Sequence, residues 1–334
     1  CSTIAYYSQA ITGHLELMHR ARPIEAQLAD IGTSEALRRR LIEAMAIRDF
    51  ASRHLALPNN GSYRSYADLG RPFVVWSVFA ADPLSIQLKA SCFPIAGCVS
   101  YRGFYAEADA ERYGADERAA GLDVFVYGVP AYSTLGWFDD PLLNTFIYFP
   151  EVELARLIFH ELAHQVVYIR DDTEFNESFA VAVEEAGVER WLAAHGTPAD
   201  RTTYRTLKSH RAEFTALALE YRERLETLYA RTDLDVTAKR AAKAAEFAAM
   251  RADYEKLKAA WGGWPGYDRW FARGLNNAHL ASVATYTRLV PAFAALLARE
   301  KGDLAAFYRA VEALGRLPRA ERDARLAALT GGSG

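Results

Sequence analysis

The segment from Leu154 to Leu192, LARLIFHELAHQVVYIRDDTEFNESFAVAVEEAGVERWL, constrains this chain more than any other. Leu157, Ile158, Leu162, Ala163 and Val166 wrap most faces of a helix, the pattern of a helix buried through the middle of a domain. On that helix His160 and His164 stand one turn apart and project to the same side, so both imidazoles can reach one Zn²⁺ at about 2.0–2.1 Å. Glu161 lies beside them, where its carboxylate can take a proton from a metal-activated water and deliver it to a leaving amine.

Zinc hydrolases need a third protein ligand and one open position. After the polar turn RDDTEF a second helix starts near Asn176 and carries Glu177, Val181, Glu184, Val188 and Trp191 along one face. Glu177 in its first turn completes a His-His-Glu set, and Glu184, two turns on, is placed to bond a ligand imidazole from outside. Glu174 and Glu185 are rivals for the third ligand, but each points off that face. HExxH alone occurs by chance on exposed helices. The apolar flanks, the acidic second helix and Gln165 after the second His argue against that here.

The rest of the chain reads as mostly helical α+β around a small central sheet. Residues 1–71 form an N-terminal helical segment: Ile4 to Ala21, then a helix opened by Ser34 with Leu37, Leu41, Met45 and Phe50 at helical spacing, stopped by PNNGSYRSY. Residues 72–150 change to short β-branched and aromatic runs, FVVWSVFA, SIQLKA, DVFVYGV and NTFIYF, which predict a sheet region with a strand at the edge of the cleft. Residues 151–200 hold the two zinc-binding helices, and 201–330 are helical. Within them Phe214 to Leu228 and Phe247 to Trp261 repeat apolar residues every three or four positions. Joined by RTDLD, they predict a long antiparallel hairpin. The tail at 331–334 reads as a linker remnant.

A formal charge of −3 with scattered Lys and Arg gives no basic stripe for phosphate backbones, so nucleic acid is not an expected partner. The longest clean apolar run, Phe73 to Ala81, falls far short of the roughly 20 residues that span a bilayer, so no transmembrane helix is expected. Cys1, followed by Ser2 and Thr3, looks like the lipid-attachment site of a processed bacterial lipoprotein; the alternative is an arbitrary start to the chain. Cys92 and Cys98 could close a short disulfide loop in an oxidising compartment. The competing reading is two buried reduced thiols.

HELAHQ followed by NESFAVAVEE resembles the gluzincin metallopeptidases, above all the zinc aminopeptidases, whose NExFA segment carries the third ligand. The wider chain, including CFPIAGCVSYRGF and AYSTLGWFDDP, is similar to the bacterial family described as predicted aminopeptidases, many of them lipoproteins. That resemblance implies a zincin-like fold, one Zn²⁺ per chain and peptide substrates. It also implies a periplasm-facing envelope location with the membrane reached only through lipid on Cys1, and Ser2 favours the outer membrane. One feature departs from the zinc aminopeptidases. Their Gly-x-Met-Glu-Asn strand, which holds the substrate's amino group, has no counterpart; Gly136-Trp137-Phe138-Asp139-Asp140 stands there instead, beginning 24 residues before His160, as an extended stretch expected to form the edge strand of the cleft. Asp139 or Asp140 could bind an α-ammonium group, or the DDP run could be a plain turn.

A residue stabilising the oxyanion can lie far away in sequence. On a helix Asn276, His279, Val283 and Tyr286 share a polar face that could form the far wall of the cleft, with Tyr286 as the donor. Alternatively, Asn276 caps that helix and Tyr286 is a core tyrosine. Arg102 is a weaker candidate. A zinc-dependent aminopeptidase is the expected function. The alternatives are a short-peptide endopeptidase and an envelope lipoprotein with a structural zinc; Glu161 speaks against the last, because a closed site has no use for a base.

Overall fold

The computed structural model describes residues 2–93 and 97–331. Cys1, the lipidation candidate, and Gly332, Ser333 and Gly334 of the linker reading lie outside the described residues.

The N-terminal segment folds as α1 (Ser2–Arg20), a short strand β1 (Arg22–Pro23), α2 (Ile24–Ala29) and α3 (Glu35–His54). Ser34 caps α3, its hydroxyl accepting the Leu37 N–H at 3.2 Å. Every third or fourth residue of α3, including Leu41, Ala44, Ile47 and Ala51, is buried.

Next come β2 (Ser65–Ala67), β3 (Val75–Ala81), β4 (Ser91–Phe93), β5 (Gly97–Val99), β6 (Arg102–Phe104), α4 (Glu107–Ala119), β7 (Asp123–Val129) and β8 (Leu142–Leu143). They make three small sheets rather than one central sheet: β1-β2-β8, an antiparallel β6-β3-β7, and the β4-β5 hairpin. FVVWSVFA and DVFVYGV supply β3 and β7, whereas SIQLKA forms no strand and pairs with the sheet at an isolated Ala81–Leu88 bridge. NTFIYF is a turn, with the Phe146 and Ile147 N–H groups both donating to Leu143 O. A short apolar run does not by itself separate a strand from a buried turn. α4 escapes the sequence reading because its buried positions are Ala110, Gly114 and Glu117, which leave no apolar stripe.

The predicted edge strand at Gly136–Asp140 is absent. That segment is a loop in which Leu135 and Gly136 adopt left-handed backbone (φ 58° and 80°) and the Phe138 N–H donates to Thr134 Oγ1. A strand cannot run through two such residues.

The remainder is helical: α5 (Glu151–Ala163), α6 (Thr173–His195), α7 (Pro198–Ala230), α8 (Val236–Ala260), α9 (Asp268–Phe271), α10 (Asn277–Thr287), α11 (Val290–Arg299), α12 (Leu304–Gly315) and α13 (Arg319–Gly331). With helix over 61% of the chain, the mostly helical α+β class stands. The hairpin of α7 and α8 is antiparallel, since Tyr221 meets Asp253, Arg224 meets Glu246, and Lys239 reaches back to Tyr229 O. Asn277–Arg299 is by length and composition apolar enough to cross a membrane, which a search for uninterrupted apolar runs overlooks. Here it is two helices meeting at Arg288, which pairs with Glu174.

α5 and α6 form the centre of the main core, through Leu154, Ile158, Phe159 and Leu162 on one and Phe175, Phe179 and Val183 on the other. Burying each such side chain contributes about 1.5–3 kcal/mol, which fixes the two helices against each other. α13 is tied to the start of α6 by a buried ion pair between Arg322 and Asp172.

Candidate metal centre

α5 ends on His164, which keeps helical backbone (φ −61°, ψ −21°), so His160 and His164 stay one turn apart. Their rings are 4.9 Å apart and nearly perpendicular. Glu177 comes from the first turns of α6, its Oε2 lying 3.3 Å from His160 Nε2 and 3.6 Å from His164 Nε2. Donors about 2.0–2.1 Å from a tetrahedral ion stand roughly 3.3 Å from one another. The two separations to Glu177 match that spacing, and all three ligand atoms lie within 4.8 Å of one another, a set that one zinc-sized cation could draw together. Among the described residues no other group of three His, Cys, Asp or Glu side chains converges in this way.

The link between the helices is held from several sides. Asn176 clamps Ile169, accepting its N–H and donating to its carbonyl, both at 2.7 Å. Asp172 caps α6 by accepting the Phe175 N–H at 3.2 Å. Asp171, in left-handed backbone at φ 67°, accepts the Cys98 N–H at 2.6 Å and so pins the β4-β5 hairpin to this link. Cys92 and Cys98 are disulfide-bonded (S–S 2.03 Å) and Cys92 is exposed, which overturns the reading as buried reduced thiols.

The three donors and their neighbours shift one another's charges. Burial disfavours the ionised form of Glu177, but His164 and His160 outweigh it and hold the carboxyl down at about 2. Burial likewise opposes the charge on His160, yet its bonds to Glu177 and Glu184 push it up to about 10. Glu184 stands where the sequence predicts, its Oε2 2.9 Å from His160 Nδ1. That contact fixes the ring with Nε2 toward Glu177. Glu161 is buried beside both histidines, and burial raises its carboxyl above the usual range although the histidines oppose this. The rival carboxylates are committed elsewhere, Glu174 to Arg288 and Glu185 to Lys208.

Tyr286, on α10, lies within electrostatic reach of this group. Burial holds its hydroxyl well above the usual phenol range, and Glu177, Tyr101, Tyr127 and Glu161 add to the effect. Asn276 and His279, predicted to share its wall, sit at the other end of α10 and face β7. Asn276 caps the helix and donates to Val124 O at 3.0 Å, while the His279 ring stacks 3.9 Å from Phe125. A shared helical face does not mean a shared neighbour over two turns. Arg102 lies over the rings of Tyr113 and Phe104.

Asp139 and Asp140 part company. Asp140 is buried, accepts the Thr134 N–H at 3.0 Å, and has its carboxyl pushed up to about 7, chiefly by burial. It braces its own loop. Asp139 is exposed and lies against Gly61, where any Cβ would collide with its carboxylate.

The turn at 58–63, read from sequence only as a helix stop, proves to be tied to Gln165, the residue that follows His164. Asn60 Nδ2 donates to Gln165 Oε1 at 2.7 Å, and Gln165 Nε2 donates to Ser62 Oγ at 3.1 Å. Buried Arg48 holds the turn through the carbonyls of Pro58, Asn60 and Ser62. The crowding of Asn, Gly and Ser at this turn was the one available signal.

The model of the family described as "Putative aminopeptidase" matches residues 5–326, nearly the whole chain. No curated protein and no solved structure matches.

Proposed function

The chain belongs to the "Putative aminopeptidase" family, and from that premise we propose that it is a zinc-dependent, gluzincin-type aminopeptidase with a zincin-like catalytic core. The observation that carries this is the convergence of His160, His164 and Glu177 within 4.8 Å, with Glu161 buried beside them. A zinc ion held by these three side chains supplies Lewis acidity toward a water and the scissile carbonyl.

The chain's own groups do the rest. The Glu161 carboxylate takes the proton of the attacking water and returns it to the leaving amine. Its burial favours holding that proton between the two steps. The Tyr286 hydroxyl, kept protonated by its surroundings, donates to the carbonyl oxygen as negative charge develops. Glu184 keeps the His160 ring turned to the donor set. The Cys92–Cys98 bond supports the envelope location, since disulfides persist in oxidising compartments.

Tyr286→Phe should lower kcat by about 10²–10³-fold with KM little changed, as when one oxyanion donor is removed. Steady-state kinetics on a chromogenic amino-acid amide measure this, and a change confined to KM would take Tyr286 out of the role.

Exposed Asp139 is the better carboxylate for the substrate's ammonium, Asp140 being spent within its loop. A charge-assisted contact of this kind contributes roughly 1.5–3 kcal/mol. Asp139→Asn should therefore cut kcat/KM for free peptides by about one to two orders of magnitude and leave N-acetylated peptides unaffected. The same assay tests the function: efficient cleavage of acetylated peptides by the unmutated protein would leave a peptidase but not an aminopeptidase.

A further inference from the structure

We propose that Arg156 is a positioning residue for the metal centre, acting on His160 through Glu184. Glu184 is 1% exposed, and each of its carboxylate oxygens has one partner: Oε1 accepts from Arg156 at 2.9 Å and Oε2 lies 2.9 Å from His160 Nδ1. Using both oxygens fixes the carboxylate plane, and the plane fixes the imidazole. With Nδ1–H donated to Glu184, Nε2 faces Glu177 and is the nitrogen left to offer its lone pair when zinc is bound.

The guanidinium is held in turn. Its Nε donates to Glu153 Oε2 at 2.8 Å, and Arg211, from the long hairpin helix α7, stands 3.6 Å from Glu153 Oε1. Arg156 thus serves Glu153 and Glu184 with different N–H groups of one rigid plane, which an ammonium on a flexible stem cannot reproduce. A line of four charged side chains, Arg211, Glu153, Arg156 and Glu184, runs from the hairpin to a ligand imidazole. A buried carboxylate stripped of its cationic partner loses both orientation and compensation.

This rests on the zinc reading proposed above. The test is zinc affinity of the full-length protein, measured by competition with a chromophoric chelator, with circular dichroism of the metal-free forms as control for folding. Arg156→Gln should bind zinc about 10–100-fold more weakly with its helical signal intact, and Arg156→Lys should recover part of the loss. Unchanged affinity in Arg156→Gln overturns the inference while leaving the zinc reading in place. Failure of the unmutated chain to bind zinc overturns both. If Arg156→Gln does not fold, Glu153→Gln decides: about a two- to fivefold loss is expected, as for a partly exposed ion pair, and none refutes the link.

Discussion

Glu161→Gln should keep one zinc per chain and hydrolyse peptides about 10²–10⁴-fold more slowly than the unmutated protein. The amide matches the carboxylate in shape but cannot take a proton, and a positioned general base contributes a factor of that size. The proposed donors lie elsewhere, on His160, His164 and Glu177, so metal content and turnover should separate in this variant. Elemental analysis and single-turnover kinetics on one preparation make the comparison. A zinc-loaded Glu161→Gln protein with full activity would remove Glu161 from the chemistry and leave the metal site without a base.

The second large effect belongs to Glu177→Ala, which should weaken zinc binding by about two orders of magnitude. Structural zinc sites bind with about 10–16 kcal/mol shared over four ligands, so one donor is worth roughly 3 kcal/mol. The alternatives are poorly placed to replace it. Glu174 is paired with Arg288, and Glu184 is held between Arg156 and His160. Equilibrium dialysis against buffered zinc reads the change. Affinity equal to that of the unmutated protein would show that Glu177 is not a ligand.

The convergence of His160, His164 and Glu177 was legible because it is local: the three fall within two consecutive helices, and helical periodicity assigns each a direction. Glu184 followed from the same periodicity. β3 and β7 were legible from their β-branched and aromatic runs, and α3 from the cap at Ser34. What lay beyond reach depends on which distant segments meet. Nothing in PNNGSYRSY says that Asn60 and Ser62 will hold Gln165, since that contact spans more than a hundred residues. Residues 135 and 136 take left-handed backbone because the loop closes on Asp140, a tertiary demand that no local pattern states. Tyr286 and His279 share a helical stripe but have different neighbours, and only the packing of α10 between α6 and β7 tells them apart.

The Arg322–Asp172 pair gives the last helix a place in the architecture of the centre. Asp172 caps α6 five residues before Glu177, and its other oxygen meets a guanidinium that arrives 150 residues later. Both side chains are nearly inaccessible to water. Shortening the chain before Arg322 would leave a buried carboxylate without its countercharge, at a cost of about 3–5 kcal/mol, at the root of the helix that presents Glu177. The C-terminal segment thus works as a keystone: remote in sequence from Glu177, it bears on the foot of the helix that carries it, so truncation there should reach the candidate metal centre before it reaches the hairpin.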